Sequence, residues 1–586
     1  MKRIFITLLL LSIIRPALEG RIFEMSAFGI KPGATNLSEK ISSAMESIRK
    51  ETGHGDSVTL RFLPGRYDFH STDALQRTYY ISNHDQSEQQ AVGIAIEGWE
   101  NLTLDGRGAK LVFHGVIIPF AVIDSKGCSV KNLSIDFENP QTAQVRIIEN
   151  RGAGGIVFRP ESWVKYRISQ DSIFEVYGEG WALRPSTGIA FEPDTRHILW
   201  NTGDLFYSTA GVRKTEHGLL APQWQDSRLT PGTVVAMRTW SRPAPGIFLY
   251  GNTDTRLTNI NVHYAFGMGL IAQFCDGITL NGFSVCLKNE NDPRYFTTQA
   301  DATHFSQCSG IIQSSGGLYE GMMDDAINVH GVYLKVTGIK GDRSITARFM
   351  HDQAWGFRWG CPGDSVRMLN ADVMEYTESL LHIESVTPDN TGHGSKELNI
   401  TFREPIELDP ERMNIGIENL SRTPEVIFSG NTVRNNRARG ALFSSPRRTV
   451  VENNVFDHTS GSAILLCGDC NGWYESGACR DILIKDNRFI NALTSMYQFT
   501  TAVISIYPEI PDLHNQTVYF HGGHPGAITI TGNTFETFDM PVLYAKSVDG
   551  LVFKDNTVIV NNDYRPFHKN RNRFLLERTD NIEISY

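Results

Sequence analysis

Short apolar runs that end near an Asn recur along most of the chain. Within the runs apolar and polar residues alternate with period 2, which predicts strands rather than helices. Asn431 and Asn454 are 23 residues apart, and the same distance separates Asn533 from Asn556. A fixed period of this size is typical of repeats that stack in one dimension.

The repeat predicts an all-β fold, a right-handed parallel β-helix in which each turn, or rung, holds two or three short strands. Val, Ile, Leu and Phe would fill its interior, and stacked Asn side chains would satisfy backbone groups at the bends. Leucine-rich repeats are excluded because their L-x-x-L-x-L frame is absent, and TPR and ankyrin repeats because they are helical. A β-sandwich or a propeller with chance spacing is the alternative.

Two stretches lack the repeat, and each predicts a small β-barrel-like insertion that emerges from a loop of the β-helix. Such insertions commonly shape a binding site. We therefore expect one solenoid interrupted twice. Its segments are an export signal at 1–20, rungs at 21–139, the first insertion at 140–247, rungs at 248–331, the second insertion at 332–424 and rungs at 425–586.

The N-terminus is typical of an export signal. A basic start, Met1-Lys2-Arg3, precedes an apolar run at residues 4–14. That run is too short to cross a hydrocarbon core of about 30 Å, but it fits a signal-peptide h-region. A buried strand or helix is the alternative. Because no later apolar run is long enough to span a membrane, we expect a periplasmic or extracellular bacterial protein without a membrane span.

Composition narrows the function classes. The 586 residues contain 55 Lys and Arg against 65 Asp and Glu, so no basic field for nucleic acid exists. A hydrophobic content of 41% excludes a disordered chain. Eight Cys are too few for a disulfide framework. For Cys467, Cys470 and Cys479 a loop disulfide is favoured over zinc, because no fourth ligand has suitable spacing.

The strongest candidate site lies between the two insertions. Asp301 and Asp324 are 23 residues apart, one rung, and Asp325 follows directly. Equivalent positions on adjacent rungs lie about 4.8 Å apart. Like charges at that distance destabilise a fold unless one is protonated or something is bound. The cluster therefore indicates a functional site, with an Asx turn as the alternative interpretation of Asp324-Asp325.

Three clustered carboxyl groups suit glycoside hydrolysis, which needs a protonated acid and an ionised base or nucleophile. Diverging side chains would leave the roughly 6.5–9.5 Å that inverting glycosidases use for a water molecule. A Ca²⁺-dependent polysaccharide lyase with Arg294 as base is one alternative. A non-catalytic carbohydrate-binding β-helix is another. We expect no cofactor and no metal.

Other residues near the trio are weaker candidates for substrate contacts, each with a structural alternative. His304 and His330 are candidates to hydrogen-bond sugar hydroxyls. Asn328 is a further candidate, although it could equally belong to the stacked Asn side chains, and Glu290 is one in a loop for which solvation is the alternative. Trp355 and Trp359 are candidates for an apolar platform, with packing in the core of the second insertion as the alternative. Arg437 and Arg439 are the last candidates, and a surface position is favoured for both.

The segments ADATHF and GMMDDAINVHG, together with the signal and the two insertions, resemble glycoside hydrolase family 110, the bacterial α-1,3-galactosidases. The resemblance covers nearly the whole chain after the signal. It implies that Asp301, Asp324 and Asp325 are catalytic in an inverting exo-hydrolase. The implied substrates are glycans with terminal α-1,3-linked galactose, as on blood group B glycans, in branched or also linear form.

The polygalacturonases have a similar trio on a similar fold. By that analogy we predict that Asp324 is the general acid and that Asp301 and Asp325 activate the water molecule. A polygalacturonase-like hydrolysis is accordingly an alternative function. Because the open end of a β-helix must be capped or paired, a homo-oligomer is compatible with the predicted fold.

Overall fold

The structure is a computed structural model that describes residues 20–87, 89–389, 395–406, 414–497 and 501–585. The export signal predicted at 1–20 lies, except for its last residue, outside the described residues. Within them, 33 strands form one continuous sheet whose successive rungs pair in parallel. The predicted all-β fold with a parallel β-helix is thereby confirmed. Across the described ranges, no helix is both long and apolar enough to span a membrane.

One α-helix, Leu37–Glu51, lies near the N-terminal end of the coil. Its buried face, with Ile41, Met45 and Ile48, joins the apolar core of the first rungs. The helix thus covers interior residues of an end that would otherwise face water. The 3₁₀ helices are Met25–Phe28, Ser71–Asp73, Gly152–Gly154 and Leu513–Asn515.

The β-helix strands fall into three groups along the chain. The first group is Arg21–Glu24, Val58–Arg61, Gly65–His70, Leu75–Arg77, Gln90–Glu97, Leu102–His114, Ile118–Ile123 and Ser129–Phe137. The second is Ile247–Tyr250, Thr253–Val262, Leu270–Gln273, Asp276–Asn281, Ser284–Val285, Thr303–Ser306, Ser309–Ser315, Leu318–Glu320 and Ile327–Val332. The third is Glu425–Ser429, Thr432–Arg434, Ala441–Ser444, Arg448–Glu452, Val455–Asp457, Ile464–Leu466, Glu475–Ser476, Asp481–Lys485, Arg488–Ile490, Ile504–Ile506, His521–Gly522, Ile528–Thr531, Thr534–Thr537, Leu543–Lys554, Thr557–Val560 and Phe574–Ile584.

The interior of the coil is built from equivalent residues on successive rungs. Phe456 pairs in register with Phe489, and Phe489 with Phe535. Their rings stack with centroids 5.2 and 4.8 Å apart. Repeating one large apolar residue per rung removes it from water and gives it an aromatic neighbour on each side.

The predicted Asn ladder is confirmed in the C-terminal rungs. The backbone N–H of Asn431 donates to Oδ1 of Asn454, and that of Asn454 donates to Oδ1 of Asn487. The pattern continues through Asn533 to Asn556. The Nδ2 groups donate to main-chain carbonyls of the preceding rung, so each Asn satisfies backbone groups of the bend before it.

The first insertion forms a seven-stranded antiparallel sheet and a separate three-stranded sheet around a core of its own. Its last strand leads back into the coil at Ile247. Its strands are Ala143–Asn150, Ile156–Pro160, Tyr166–Ile168, Phe174–Gly178, Trp181–Leu183, Thr187–Phe191, Leu205–Phe206, Arg213–Lys214, Leu219–Ala221 and Val234–Arg238.

The second insertion closes as a six-stranded antiparallel barrel, and the rungs resume at Glu425. Trp359 and Phe402 are among the buried residues of its core. Its strands, in order around the barrel, are Leu334–Ile339, Ser344–Arg348, Glu397–Phe402, Glu375–Pro388, Ser365–Asn370 and Ile415–Asn419.

The expected loop disulfide is not formed, and all eight cysteines are free thiols. Cys467, Cys470 and Cys479 are buried in three different apolar clusters. Cys479 belongs to the coil interior, whereas Cys470 packs beside the second insertion. Their closeness in sequence therefore reflects three packing roles rather than a bridge.

Removing one Asn of the ladder tests its contribution to stability. We expect Asn487→Ala to lower the free energy of unfolding by about 2–4 kcal/mol, because the buried N–H of Asn454 and the carbonyl of Val451 on the preceding rung lose their partners. Asn261→Ala, at an exposed strand position, is the matched control and should change it by less than about 0.5 kcal/mol. Urea unfolding followed by circular dichroism measures both. Equal losses in the two variants would contradict a stabilising ladder.

Candidate active site

The three aspartates lie on the loops that lead into two paired strands. Thr303 pairs in parallel with Ile327, 24 residues later, so this rung is one residue longer than the 23-residue period. The main-chain N–H of Ala302 donates to the carbonyl of Asp325 at 2.8 Å. Asp301 is therefore level with Asp325, and not with Asp324 as the period suggests.

The fold brings the predicted trio together. One carboxylate oxygen from each of Asp301, Asp324 and Asp325 lies within 4.8 Å of the corresponding oxygens of the other two. This is closer than the roughly 6.5–9.5 Å between carboxyl groups that is usual for inversion. The wider separation expected from the sequence is not seen, so distance alone does not favour inversion.

The next rung places arginines against the trio. Ile327 pairs with Ala441, which puts Arg439 beside Asp325. The backbone N–H of Arg439 donates to Oδ1 of Asp325 at 3.2 Å, and Nη2 donates to Oδ2 at 2.9 Å. Asp301, Asp325 and Arg439 thus form a column across three rungs.

Asp324 has a guanidinium on each oxygen. Arg437 donates to Oδ1 at 3.1 Å, and Arg242 of the first insertion donates to Oδ2 at 3.3 Å. Arg437 is itself held by a bidentate pair with Asp204, at 2.8 and 2.6 Å. The first insertion therefore fixes both the charge and the position of the arginines around Asp324.

The trio lines a cavity of about 810 Å³. Both insertions and several coil loops contribute to its walls. Residues from the first insertion and the segment after it are Gly203, Asp204, Phe206, Trp240 and Arg242, those from the second insertion are His351, Asp352 and Gln353, and those from the coil are Asn83, Asp301, Asp324, Asp325, Asn328, Arg437, Arg439, Leu442, Cys467, Asp469, Trp473, Glu475, Met496 and Tyr497.

Two partly exposed indoles line this cavity. Trp240 is 44% exposed and lies beneath the guanidinium groups of Arg238 and Arg437. Trp473 is 37% exposed, and its ring stacks on His351 with centroids 4.4 Å apart. Aromatic faces held this way are suited to the apolar face of a sugar ring.

The environment drives the carboxyl groups of Asp301 and Asp324 into opposite protonation states. Burial raises the pKa of Asp301 to about 8, and the neighbouring charge of Asp324 adds to the effect. Burial would also raise the pKa of Asp324, but Arg437, Arg439 and Arg242 together hold it below its usual value. Asp324 is therefore ionised in the free site, which does not favour it as the general acid.

Asp325 is the most enclosed member of the trio. Burial raises the pKa of its carboxyl group well above the ordinary value, and Arg439 opposes that shift. Because both of its oxygens accept hydrogen bonds from Arg439, its orientation is fixed.

The other predicted contact residues divide into two groups. Asn328 lines the cavity, and its Oδ1 accepts no hydrogen bond from any described residue. Arg437 and Arg439 also line it, so the favoured surface position was wrong for both. His304 and His330 are buried behind Asp301 and do not line the cavity.

Three predicted contact residues lie elsewhere. Trp359 is buried in the barrel core, where Nε1 donates to the carbonyl of Val332. Trp355 packs on Tyr80 outside the cavity, and Glu290 lies on an exposed loop. The tryptophans fail as platforms because the barrel uses them for its own packing.

Among the described residues three clusters offer metal-ligating atoms: the trio itself, the group of His304, His330 and Glu475, and, away from the cavity, the group of His70, His114 and Glu179. Arginine donors already occupy both oxygens of Asp324 and of Asp325. A Ca²⁺ ion needs six to eight oxygens and would meet guanidinium groups at this site, so the donor set does not fit it. Arg294, the base suggested for a lyase, is buried between Asp136 and Asp292 away from the cavity.

Sequence reasoning missed several residues of the walls, above all Asp204, Trp240, Arg242, Trp473 and Glu475. The first three lie in or just after the first insertion, where no period predicts position. Trp473 and Glu475 lie between Asn454 and Asn487, which are 33 residues apart, so this rung is ten residues longer than the period. The longer spacing was the signal in the sequence that could have pointed to these two residues. The segment was instead interpreted through its three cysteines.

Comparison with known proteins identifies the family. A family model described as GLAA-B beta-barrel domain I matches residues 143–235, and one described as right handed beta helix region matches residues 412–558. Alpha-1,3-galactosidase B of Phocaeicola vulgatus is 58% identical over 570 residues, which are 96% of each chain. The chain belongs to the alpha-1,3-galactosidase B family.

More distant members agree with this assignment. Alpha-1,3-galactosidase B of Bacteroides fragilis is 55% identical and covers 99% of this chain and 98% of its own. That of Akkermansia muciniphila is 36% identical and covers 97% of this chain and 69% of its own. The predicted right-handed coil and the resemblance to bacterial α-1,3-galactosidases are thereby confirmed, and the chain is a glycoside hydrolase.

The arginine that bridges the first insertion and the trio should matter for stability. We expect Arg437→Met to lower the free energy of unfolding by about 3–5 kcal/mol, because it leaves Asp204 and Asp324 buried without their shared partner. Arg448→Met, which breaks an exposed pair with Asp481, is the control and should cost less than about 1 kcal/mol. Urea unfolding compares them. A loss for Arg437→Met no larger than that for the control would contradict the bridge.

Proposed function

We propose that this glycoside hydrolase removes terminal α-1,3-linked galactose from the non-reducing ends of glycans, including blood group B structures, with inversion and after export from the cell. The observation that carries the proposal is the trio of carboxyl groups in a walled cavity, with Asp301 and Asp324 in opposite protonation states. The names of the relatives supply the sugar and the linkage.

The walls favour attack at a chain end. The first insertion bounds the cavity through Trp240, the second through His351 and the coil through Trp473 and Met496. A cleft for internal cleavage needs two open ends, whereas walls on several sides leave room for a terminal residue. Galactose then stacks on an indole face, and the unpaired Oδ1 of Asn328 accepts a hydrogen bond from one hydroxyl.

The protonation states suggest which carboxyl group acts as the general acid and which as the base. Asp301 is neutral near pH 7 and serves as the general acid for the leaving oxygen. Asp324 is ionised and activates the water molecule, with Asp325 beside it. These roles exchange the ones that the polygalacturonase analogy predicts for Asp301 and Asp324.

Inversion rests on the family resemblance and on this division of roles. A single displacement needs an acid on the leaving oxygen and a base on the attacking water molecule, and the trio supplies a candidate for each without a covalent intermediate. A lyase is disfavoured because the donor set does not fit Ca²⁺. A purely binding role gives no reason to keep three carboxyl groups together in a buried site.

The stereochemistry is tested by NMR of the released sugar. We expect the first galactose formed from a branched blood group B trisaccharide, and from a linear α-1,3-galactoside, to be the β anomer. Mutarotation then restores the anomeric mixture. First-formed α-galactose would contradict inversion, and an unsaturated product absorbing in the ultraviolet would indicate a lyase. Asp481→Asn, at an exposed position, is the control and should behave as the native protein does.

Leaving-group dependence identifies the acid. We expect Asp301→Asn to lower kcat/KM for the natural disaccharide by about 10²–10⁴-fold, because the leaving sugar needs a proton. With 2,4-dinitrophenyl α-galactoside, whose leaving group needs none, the loss should be within about tenfold. Asp324→Asn should lower kcat/KM for both substrates, because the water molecule loses its base.

The opposite pattern would contradict this assignment. If Asp324→Asn kept its activity on the activated substrate and Asp301→Asn did not, the roles would be those of the polygalacturonase analogy. Full activity of either variant on the natural substrate would remove that residue from the catalytic group.

A further inference from the structure

A chain of short contacts runs from Asp301 into the buried interior. Oδ2 of Asp301 lies 2.7 Å from Nδ1 of His304. Nε2 of His304 lies 2.8 Å from Nε2 of His330, and Nδ1 of His330 lies 2.5 Å from the carbonyl oxygen of Gly331. Both imidazoles are at most 1% exposed, so these contacts are shielded from bulk solvent.

The contacts fix the number of protons. A carbonyl oxygen only accepts, so His330 carries a proton on Nδ1. Each of the other two contacts joins atoms that repel unless a proton lies between them. Asp301, His304 and His330 therefore hold three protons, one more than an ionised Asp and two neutral imidazoles hold.

The extra proton rests on Asp301 when both imidazoles are neutral. His330 then accepts at Nε2 from the Nε2–H of His304. The bare Nδ1 of His304 in turn accepts from the protonated carboxyl group of Asp301. Burial lowers the pKa of His304 to about 3, which agrees with a neutral ring, as does the raised pKa of Asp301.

Several titratable and charged groups face the chain. On the cavity side Asp301 faces ionised Asp324, the buried carboxyl group of Asp325, whose pKa is raised by burial, and the guanidinium groups of Arg242 and Arg439. Behind it, the neutral ring of His84 donates from Nδ1 to the Ser82 carbonyl and accepts the Met268 N–H at Nε2.

Glu475 closes the far end of the chain. Its Oε1 lies 3.5 Å from Nε2 of His330, and its side chain also lines the cavity. The chain therefore meets the cavity at two places, at Asp301 and, through His330, at Glu475.

We propose that His304 and His330 are positioning residues that hold Asp301 in its protonated form, because the Nδ1–H of His330 on Gly331 fixes His304 as the Nε2–H tautomer, whose bare Nδ1 accepts the carboxyl proton. The proposal rests on the proposed function, because it deepens the role of Asp301 as acid. It also reassigns the two histidines, which were candidates for sugar contacts.

The proton count balances over one turnover. Asp301 gives its proton to the glycosidic oxygen as the C–O bond breaks, and Asp324 takes one from the attacking water molecule. Asp301 then takes a proton back from solvent in the cavity, because His304 keeps its own proton on Nε2 and presents only a bare Nδ1 to the carboxyl group. His330 keeps its Nδ1 proton on Gly331 throughout, and Asp324 returns its proton to solvent.

The tautomers can be measured without reference to activity. In long-range ¹H–¹⁵N spectra of the full-length protein with ¹⁵N-labelled His, we expect His304 as the neutral Nε2–H tautomer and His330 as the neutral Nδ1–H tautomer from pH 5.5 to 7.5. Spectra of His304→Phe and His330→Gln assign the signals. A charged His304, or one protonated on Nδ1 alone, would overturn the proposal.

Kinetics separate support of the protonated form of Asp301 from a purely structural role of His304. We expect His304→Phe to lower kcat/KM for the natural disaccharide by about 10²-fold or more, and for 2,4-dinitrophenyl α-galactoside by less than about tenfold. His521→Phe, which replaces another buried histidine of the coil, should keep the native ratio between the substrates. Should His304→Phe not fold, His330→Gln provides the same comparison.

The pH dependence of kcat/KM is an independent test of the same proposal. In the native protein kcat/KM for the natural substrate should fall above about pH 8, as Asp301 loses its proton. Without the His304 acceptor the protonated form of Asp301 is less stabilised, so the fall should move to lower pH. Equal losses on both substrates with an unmoved profile would show a structural histidine. If the native protein released no galactose from the activated substrate, the proposed function itself would be refuted.

Discussion

The vertical register of the coil is the constraint on which the rest of the molecule depends. Stacked rungs place each residue directly beside its equivalents, at the spacing of neighbouring strands. An Asn that satisfies its neighbour can be repeated in every rung, and the ladder from Asn431 to Asn556 is built this way. A charge cannot be repeated, because like charges would face each other. In the column of Asp301, Asp325 and Arg439, the third position carries a guanidinium group instead of another carboxyl group. This positive charge compensates the two neighbouring aspartates.

The same register explains why the trio is chemically uneven. Asp301 has a carboxyl group on the next rung and a neutral histidine behind it, so its proton is held. Asp324, one position out of line with Asp301, reaches arginines on both sides instead. Two side chains of one residue type thus acquire opposite protonation states from their neighbours alone. The additional residue in the rung between Thr303 and Ile327 is what sets them apart.

Sequence patterns predicted the parts of the structure that repeat. The 23-residue period indicated the coil, the ladder and the approximate meeting of the three aspartates. It did not indicate the longer rung, because the strand pairing of Thr303 with Ile327 decides that register. The period also did not indicate which residues form the walls of the cavity. Asp204, Trp240 and Arg242 reach the cavity through the tertiary fold of the first insertion, and no local pattern shows where such a segment ends in space. Trp355 and Trp359 had the right chemistry for a platform but are used in packing, whereas Trp473 has the exposed position.

The contact between Trp473 and His351 joins a loop of the coil to the second insertion. It means that the mouth of the cavity lies between parts with separate apolar cores, whereas the three aspartates lie on the coil. Mutations can then change the mouth of the cavity and the coil beneath it independently of each other. A reshaped barrel would change the entrance, and the rungs beneath it would still hold the three aspartates in place. A family built on this plan can change which glycans enter while the carboxyl groups keep their positions.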